Sequence, residues 1–266
     1  MDKTLSRDGT SIAYRRHGDG PPVILVGGAL STAADEAPLA AGLAPRFTVV
    51  TYDRRGRGAS GDSGPYTIRR EIEDLAAVAA RVGGNVSLFG MLSGGALALE
   101  AHAAGLPVDL LAVYEPPYAQ GAEQLLRASR RTALLHRLLE KGDRAGAVEL
   151  HLSGAGVPPR TITHMRRAPL WPRLEAMAHT LAYDDALVGG GAVPTERFAS
   201  LTARTLVVTG GFSTPEAQAT TLALAAAVPR ARHRTLTGQT RELAPHVMAP
   251  VLAEFFGRAP SLRTAF

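Results

Sequence analysis

Cysteine is absent from all 266 residues. That absence excludes disulfides, a thiol nucleophile and thiolate-bound metal, and it fits a reducing compartment. No apolar run approaches the roughly 20 residues that a membrane-crossing helix needs. The opening MDKTLSRDGTSIAY has none of the basic, apolar and small-residue order of a secretory signal. A cytoplasmic location is therefore expected, without a membrane partner. Aromatic residues make up only 5% of the chain, too few to provide stacking platforms for nucleic acid. The formal net charge of +5 arises from arginines scattered through RRHG, DRRGRG, IRRE and MRRA rather than gathered into a stripe. Nucleic acid is thus not an expected partner, and the alanine- and arginine-rich composition reads as that of a GC-rich genome. The glycine-rich segments lack both the Lys-Ser/Thr of a phosphate-binding loop and the G-x-G-x-x-G of a dinucleotide fold, so no cofactor is expected. Asp184-Asp185 has no His or Glu at ligand spacing beside it and reads as a helix end rather than a metal site.

What is present is an ordinary globular balance, with 45% hydrophobic and 20% charged residues, on a chain long enough for one α/β domain with an insertion. Two short alternating segments, at 2–7 and 10–16, meet at Asp8-Gly9, a turn dipeptide that predicts a hairpin. PPVILVGG at 21–28, FTVVTY at 47–52 and NVSLFG are β-branched runs of the kind that form strands buried on both faces. Between them, Ile72, Leu75, Val78, Ala79 and Val82 recur at helical spacing up to Gly83-Gly84, where a helix should stop. A helix from Gly94 to about Ala104 and a strand over 108–115 continue the alternation. Such an order implies a mostly parallel sheet with helices on both faces. Residues 117–200 break the rhythm with helical pattern alone. The sheet resumes at 203–210, followed by a helix near 215–228, the strand ARHRTLTG and a closing helix from about Ala244 to Phe256. The expected division is a core of 1–116 and 201–266 with a helical cap over 117–200, and a frayed tail after Gly257.

FGMLSGGALALE, at 89–100, sits at a strand-to-helix junction. Its Gly90-Met91-Leu92-Ser93-Gly94 frame resembles the G-x-S-x-G nucleophile elbow of the α/β-hydrolase superfamily. YDRRGRGAS at 52–60 resembles the same family's D-x-R-G-x-G-x-S loop, at the correct distance before the elbow. VILVGGAL matches the strand whose end lends a backbone N–H to the oxyanion hole, here through Gly27-Gly28-Ala29. The resemblance runs from about residue 5 to 257 and implies an α/β-hydrolase fold with a helical lid.

The resemblance also implies where chemistry should sit, and there the sequence departs from the family. Leu92 occupies the nucleophile position and has no atom that can attack a carbonyl. Ser213, in GGFSTP, falls where the acid is expected, and Arg241 best matches the histidine, with His246 five residues on as the alternative. All three triad positions thus read as changed. Some superfamily members place the acid one strand earlier, where this chain has Glu115, so Glu115 and Arg241 are candidates for an ion pair across the pocket floor. Ser93 is a candidate substitute nucleophile, although the residue after the elbow normally contributes its backbone N–H. With Ala29, it is the expected oxyanion donor, a role that needs no particular side chain. Arg241 either lies on the surface or holds a carboxylate or enolate oxygen of the ligand. Among the cap residues His136, His151, His164, Trp171, His179 and Tyr183, the last pair share a helix face. Trp171, His179 and Tyr183, with Met91 in the elbow frame, are the expected pocket residues.

Three functions compete. The first is a cofactor-free, non-hydrolytic enzyme, a cyclase, isomerase or lyase that positions a reactive substrate against the oxyanion donors. By analogy of fold alone, a secondary metabolite such as a polyketide would suit it. The second is an inactive small-molecule-binding protein, and the third a hydrolase whose water is activated by Glu115 or a cap histidine. In each case the partner is a small molecule, and homo-oligomerisation stays open.

Overall fold

The computed structural model describes residues 1–257; the tail expected to fray lies outside the described residues. Eight strands form one sheet: β1 (Asp2–Leu5), β2 (Ser11–His17), β3 (Pro22–Val26), β4 (Thr48–Tyr52), β5 (Val86–Met91), β6 (Val108–Tyr114), β7 (Arg204–Gly210) and β8 (Ala231–Leu236). Their order is β1-β2-β4-β3-β5-β6-β7-β8. β1 and β2 form the hairpin expected at Asp8-Gly9 and pair antiparallel with each other, and β2 pairs antiparallel with β4; the remaining pairings are parallel. The α/β-hydrolase fold expected from the sequence is thus present, with an eight-stranded, mostly parallel sheet flanked by helices.

The continuous apolar runs of β3, β4, β5 and β6 are buried because helices cover both faces. On one face α2 (Ile68–Ala80), α3 (Ser93–Ala103) and α10 (Pro215–Ala227) pack Leu75, Val78, Leu97, Leu99 and Leu224 against Ile24, Leu88 and Val113. On the other, α1 (Ala37–Leu43) and α11 (Pro245–Phe256) pack Leu39, Leu43, Met248 and Leu252 against Leu25, Val49 and Val208.

Between β6 and β7 the chain forms α4 (Gly121–Glu140), α5 (Arg144–Gly154), α6 (Pro159–Met165), α7 (Trp171–Met177), α8 (Leu181–Val188) and α9 (Thr195–Phe198). Leu135, Val148, Ile162, Trp171, Leu174 and Leu181 from these helices make a separate apolar cluster that reaches Leu30 on the loop after β3. The helical pattern over 171–188 is interrupted by a 3₁₀ turn at Ala178–Thr180.

The join between β5 and α3 depends on missing side chains. A Cβ at Gly94 would lie 2.1 Å from the Val26 carbonyl oxygen, and one at Gly90 would lie 2.4 Å from that of Gly94. Backbone against backbone cannot yield, so only glycine lets α3 lie this close to β3 and β5. Gly94→Ala should therefore lower unfolding free energy by at least about 1–3 kcal/mol in urea titration. Gly190→Ala, where an added Cβ meets nothing within 4 Å, should stay within about 0.5 kcal/mol of the native chain. Equal midpoints for the two variants would refute the close-packing account.

Candidate active site

The sharp turn after β5 holds Leu92 at φ 52°, ψ −120°, a backbone region that costs a non-glycine residue about 1–3 kcal/mol. The Leu92 N–H donates to the Tyr114 carbonyl at 2.8 Å, and the Leu92 carbonyl accepts from Gly95 N–H at 2.9 Å. The elbow is thus held from both sides. Ser93 opens α3, and its N–H has no acceptor in its own helix, as for any first-turn residue. Neither this N–H nor that of Ala29 donates a hydrogen bond among the described residues. Both residues line the same cavity, and a pair of free donors beside a helix N-terminus is an arrangement suited to a developing oxyanion.

Glu115 follows β6, one register step past the Met91–Tyr114 pairing, and is therefore beside Leu92. Its φ is 43° and its N–H donates to the Val208 carbonyl at 3.1 Å. The side chain turns toward β7, where Oε1 accepts from Gly210 N–H at 2.8 Å, Thr209 Oγ1 at 3.1 Å and Ser213 Oγ at 2.5 Å. Ser213 is buried. The two alternative acid positions considered from the sequence thus meet: the carboxyl group comes from the earlier strand and is held by the residue at the later one.

Arg241 lies in the loop after β8, fixed by its neighbour, since the Tyr114 hydroxyl donates to the Thr240 carbonyl. The ion pair expected between Glu115 and Arg241 is not a direct contact; Glu115 acts on Arg241 only at longer range. The reason is that Oε1 is engaged by the end of β7. Burial holds the Arg241 guanidinium below the ordinary arginine range; Glu115 opposes this and Arg131 adds to it.

Leu92, Ser93, Ala29, Glu115 and Arg241 all border one cavity of about 640 Å³ between the sheet edge and the cap. His151, Arg131, Asp184 and Asp185 border it too. The pocket expectation for Met91 packs into the core under α11. Trp171 is buried in the cap cluster, its indole N–H donating to Glu175 at 2.9 Å. His179 Nε2 and the Tyr183 hydroxyl do share a face, but that face meets Asp62 Oδ2, at 3.0 Å from each. Tyr183 also stacks on Tyr66, with ring centroids 3.9 Å apart. His246 is exposed near the start of α11.

Sequence reasoning missed the charged cluster under the elbow. Arg54 Nε lies 2.5 Å from Glu71 and Arg54 Nη1 2.8 Å from Asp184, while Arg57 Nη2 lies 2.8 Å from the other Asp184 oxygen. Burial alone would raise the Asp184 carboxyl, but Arg57, Arg54 and a hydrogen bond from Ser93 hold it below the ordinary range. Arg54 Nη1 also lies 3.3 Å from Ser93 Oγ and 3.2 Å from the Gly27 carbonyl. The Ser93 hydroxyl is thereby taken up by the cluster. One signal was available: Glu71 stands one helical turn before Leu75 on the apolar face of α2, where an acid must find a buried partner. Among the described residues no three His, Cys, Asp or Glu side chains gather as metal ligands.

His151, named from the sequence but not preferred, is the histidine at the cavity. Burial lowers its pKa to about 4; Asp184 pulls it up, and Arg241, Arg131 and Arg57 push it down further. The imidazole is neutral at neutral pH.

Residues 17–258 match the model described as the alpha/beta hydrolase family. An alpha/beta hydrolase from Sphaerobacter thermophilus DSM 20745 has a similar structure, with 50% identity, 96% of this chain and 100% of that one covered, and a TM-score of 0.88. A hydrolase from Pseudomonas aeruginosa PA01 (24% identity, coverage 96% and 98%, TM-score 0.74) shares the fold. So does the enol-lactonase from Burkholderia xenovorans LB400 (19% identity, coverage 97% and 100%, TM-score 0.70).

Two measurements test this geometry. Asp184→Ala leaves Arg54 and Arg57 without their shared counter-charge and should cost about 3–5 kcal/mol of unfolding free energy; a loss below about 1 kcal/mol would show that the cluster is not holding the cap. Because the folded-state pKa of His151 lies below 6.5, the unfolded chain binds the proton more readily. Its contribution is fully present above about pH 6.5 and is lost as pH falls toward about 4. His151→Gln should flatten the urea midpoint across that window, and a variant that still tracks the native pH profile would rule the assignment out.

Proposed function

The chain belongs to the alpha/beta hydrolase family, and on that scaffold we propose that it is a cofactor-independent small-molecule enzyme that forms no acyl-serine intermediate, of the isomerase, lyase or cyclase kind. The observation that carries this reading is Leu92 at the strained elbow position beside free N–H donors at Ala29 and Ser93 and the anchored carboxyl group of Glu115. The former triad positions Leu92, Ser213 and Arg241 hold no nucleophile and no imidazole. An arginine keeps its proton at any working pH, so it cannot take over the histidine's role as base.

The groups that remain suit proton transfer next to a carbonyl. A substrate carbonyl oxygen accepts from the Ala29 and Ser93 N–H groups. Glu115 takes a proton from the adjacent carbon, and the electron pair left behind becomes an enolate whose charge rests on those donors. Return of the proton to another carbon gives isomerisation, departure of a β-substituent gives elimination, and attack on an electrophile within the same molecule gives cyclisation. Leu92 forms an apolar wall against the reacting face.

A hydrolytic reading has one observation in its favour: His151 is neutral and borders the cavity, so it or Glu115 is available to activate a water. The two readings separate on incubation of the protein with a panel of carbonyl metabolites, read by mass spectrometry beside a heat-killed control. The expected product has unchanged mass and new retention, or has lost a small molecule. Glu115→Gln should then lower the rate by about 10²–10⁴-fold, and a serine-directed fluorophosphonate should leave the native chain unlabelled. A labelled serine would overturn the reading. Gain of water, abolished in Glu115→Gln or His151→Gln, would transfer the assignment to the hydrolase, and ligands retained without conversion would make the chain a binding protein.

A further inference from the structure

Arg241 is the one cavity-lining group whose charge has an electrostatic neighbour but no contact partner on a built surface. Its guanidinium makes no hydrogen bond or ion pair among the described residues, yet burial is the largest influence on it. Three other arginines near the cavity are accounted for: Arg54 and Arg57 hold Asp184, and Arg127 pairs with Glu123 at 2.9 Å on the exposed side of α4. The carboxylates bordering the cavity are likewise committed elsewhere. Asp184 has its two arginines, Asp185 is served by Thr132 and by the field of Arg131, Glu216 is exposed at the rim, and Glu115 is fastened through Oε1 to the end of β7.

A half-buried guanidinium has five N–H donors in a fixed fork, and leaving them unmet in a partly dry cavity is costly. A carboxylate meets two of them at once in parallel, charge-assisted bonds, whereas an ester or amide meets fewer and supplies no counter-charge. Arg131, exposed on α4 but bordering the same cavity, adds positive potential without competing for contact. His151 adds no charge, since it is neutral at neutral pH. The rest of the lining includes Ala119, Ala128, Leu135, Leu150 and Val188, which suits an apolar body.

We propose that the cavity takes a small carboxylic acid that also carries a carbonyl group, with the carboxylate bound by Arg241 and the carbonyl directed to the Ala29 and Ser93 N–H groups. This deepens the preceding reading by naming a substrate class and rests on it for the placing of the carbonyl; the binding of the carboxylate stands independently of turnover. Arg241 is on this account a binding residue that replaces a proton carrier by a fixed cation.

The test uses two probes that differ only in charge, 4-oxo-4-phenylbutanoate and its methyl ester, titrated calorimetrically into the full chain. The acid should bind at least about tenfold more tightly than the ester, the ratio for one charge-assisted pair. Arg241→Gln should abolish that preference while leaving ester binding and the unfolding midpoint unchanged, and Arg241→Lys should restore part of it. Equal affinity for the two probes, binding of neither, or a preference that survives Arg241→Gln would overturn the proposal. A preference lost in Arg131→Gln but kept in Arg241→Gln would also overturn it, by moving the anchor to α4. Glu115→Gln separates the two claims: acid binding that persists with no turnover in the native chain would leave the ligand class standing and remove the catalytic reading.

Discussion

Two arginines and two carboxylates buried beneath the elbow constrain the arrangement of everything around them. Arg54 and Arg57 come from the loop after β4, Glu71 from α2, and Asp184 from the cap helix α8. Taking four charges out of water is expensive, and such a group seldom adds net stability over well-packed apolar side chains. What it supplies is register. Each charge is balanced only when loop, helix and cap are all in place, so a displaced cap strands a charge in a dry interior. Since the Ser93 hydroxyl lies within the same cluster, the position of the cap and the position of the elbow N–H are set by one set of bonds. The cavity between them inherits its shape from that coupling.

The elbow itself shows geometry outlasting chemistry. The strained backbone at Leu92 persists because Gly90 and Gly94 let α3 settle against β3 and β5, and because the Leu92 N–H is tied to Tyr114. These are properties of the backbone and of small neighbours, so a change of the side chain at position 92 leaves them standing. The oxyanion donors persist for the same reason. A scaffold of this kind keeps the means of stabilising negative charge on oxygen when it has no atom with which to attack.

Local pattern carried much of this into view before any coordinates. The β-branched runs at 21–28 and 47–52, the turn at Asp8-Gly9 and the glycines flanking Leu92 each specify a local conformation, and together with the spacing of the two loops they specify the fold. The site was less legible, because a face shared along a helix says nothing about what that face will meet. His179 and Tyr183 share one, as four-residue spacing requires, but it meets Asp62, while His151, on a different helix, borders the cavity. The arginines of DRRGRG read as scattered surface charge until α2 and α8 bring Glu71 and Asp184 to them. Glu115 and Ser213 lie on separate strands, and only the parallel pairing of β6 with β7 makes them neighbours.

The chemistry open to the cavity follows from which of its groups can change charge. Arg241 retains its proton throughout the accessible pH range and so serves binding and electrostatics alone. His151 can exchange a proton, but with a pKa near 4 it is a weak base at neutral pH and its conjugate acid is scarce there. The Ser93 hydroxyl is engaged by Arg54 and Asp184, and Asp184 is itself held by two cations. That leaves the Glu115 carboxyl group, fixed through one oxygen and beside the elbow, as the group best placed to move a proton next to the oxyanion donors. Replacement of an imidazole by a guanidinium would then do more than remove a base: it would trade a group that shuttles protons for one that holds a negative charge in place. That is the exchange a cavity needs if it is to orient an anionic substrate for chemistry at a neighbouring carbon.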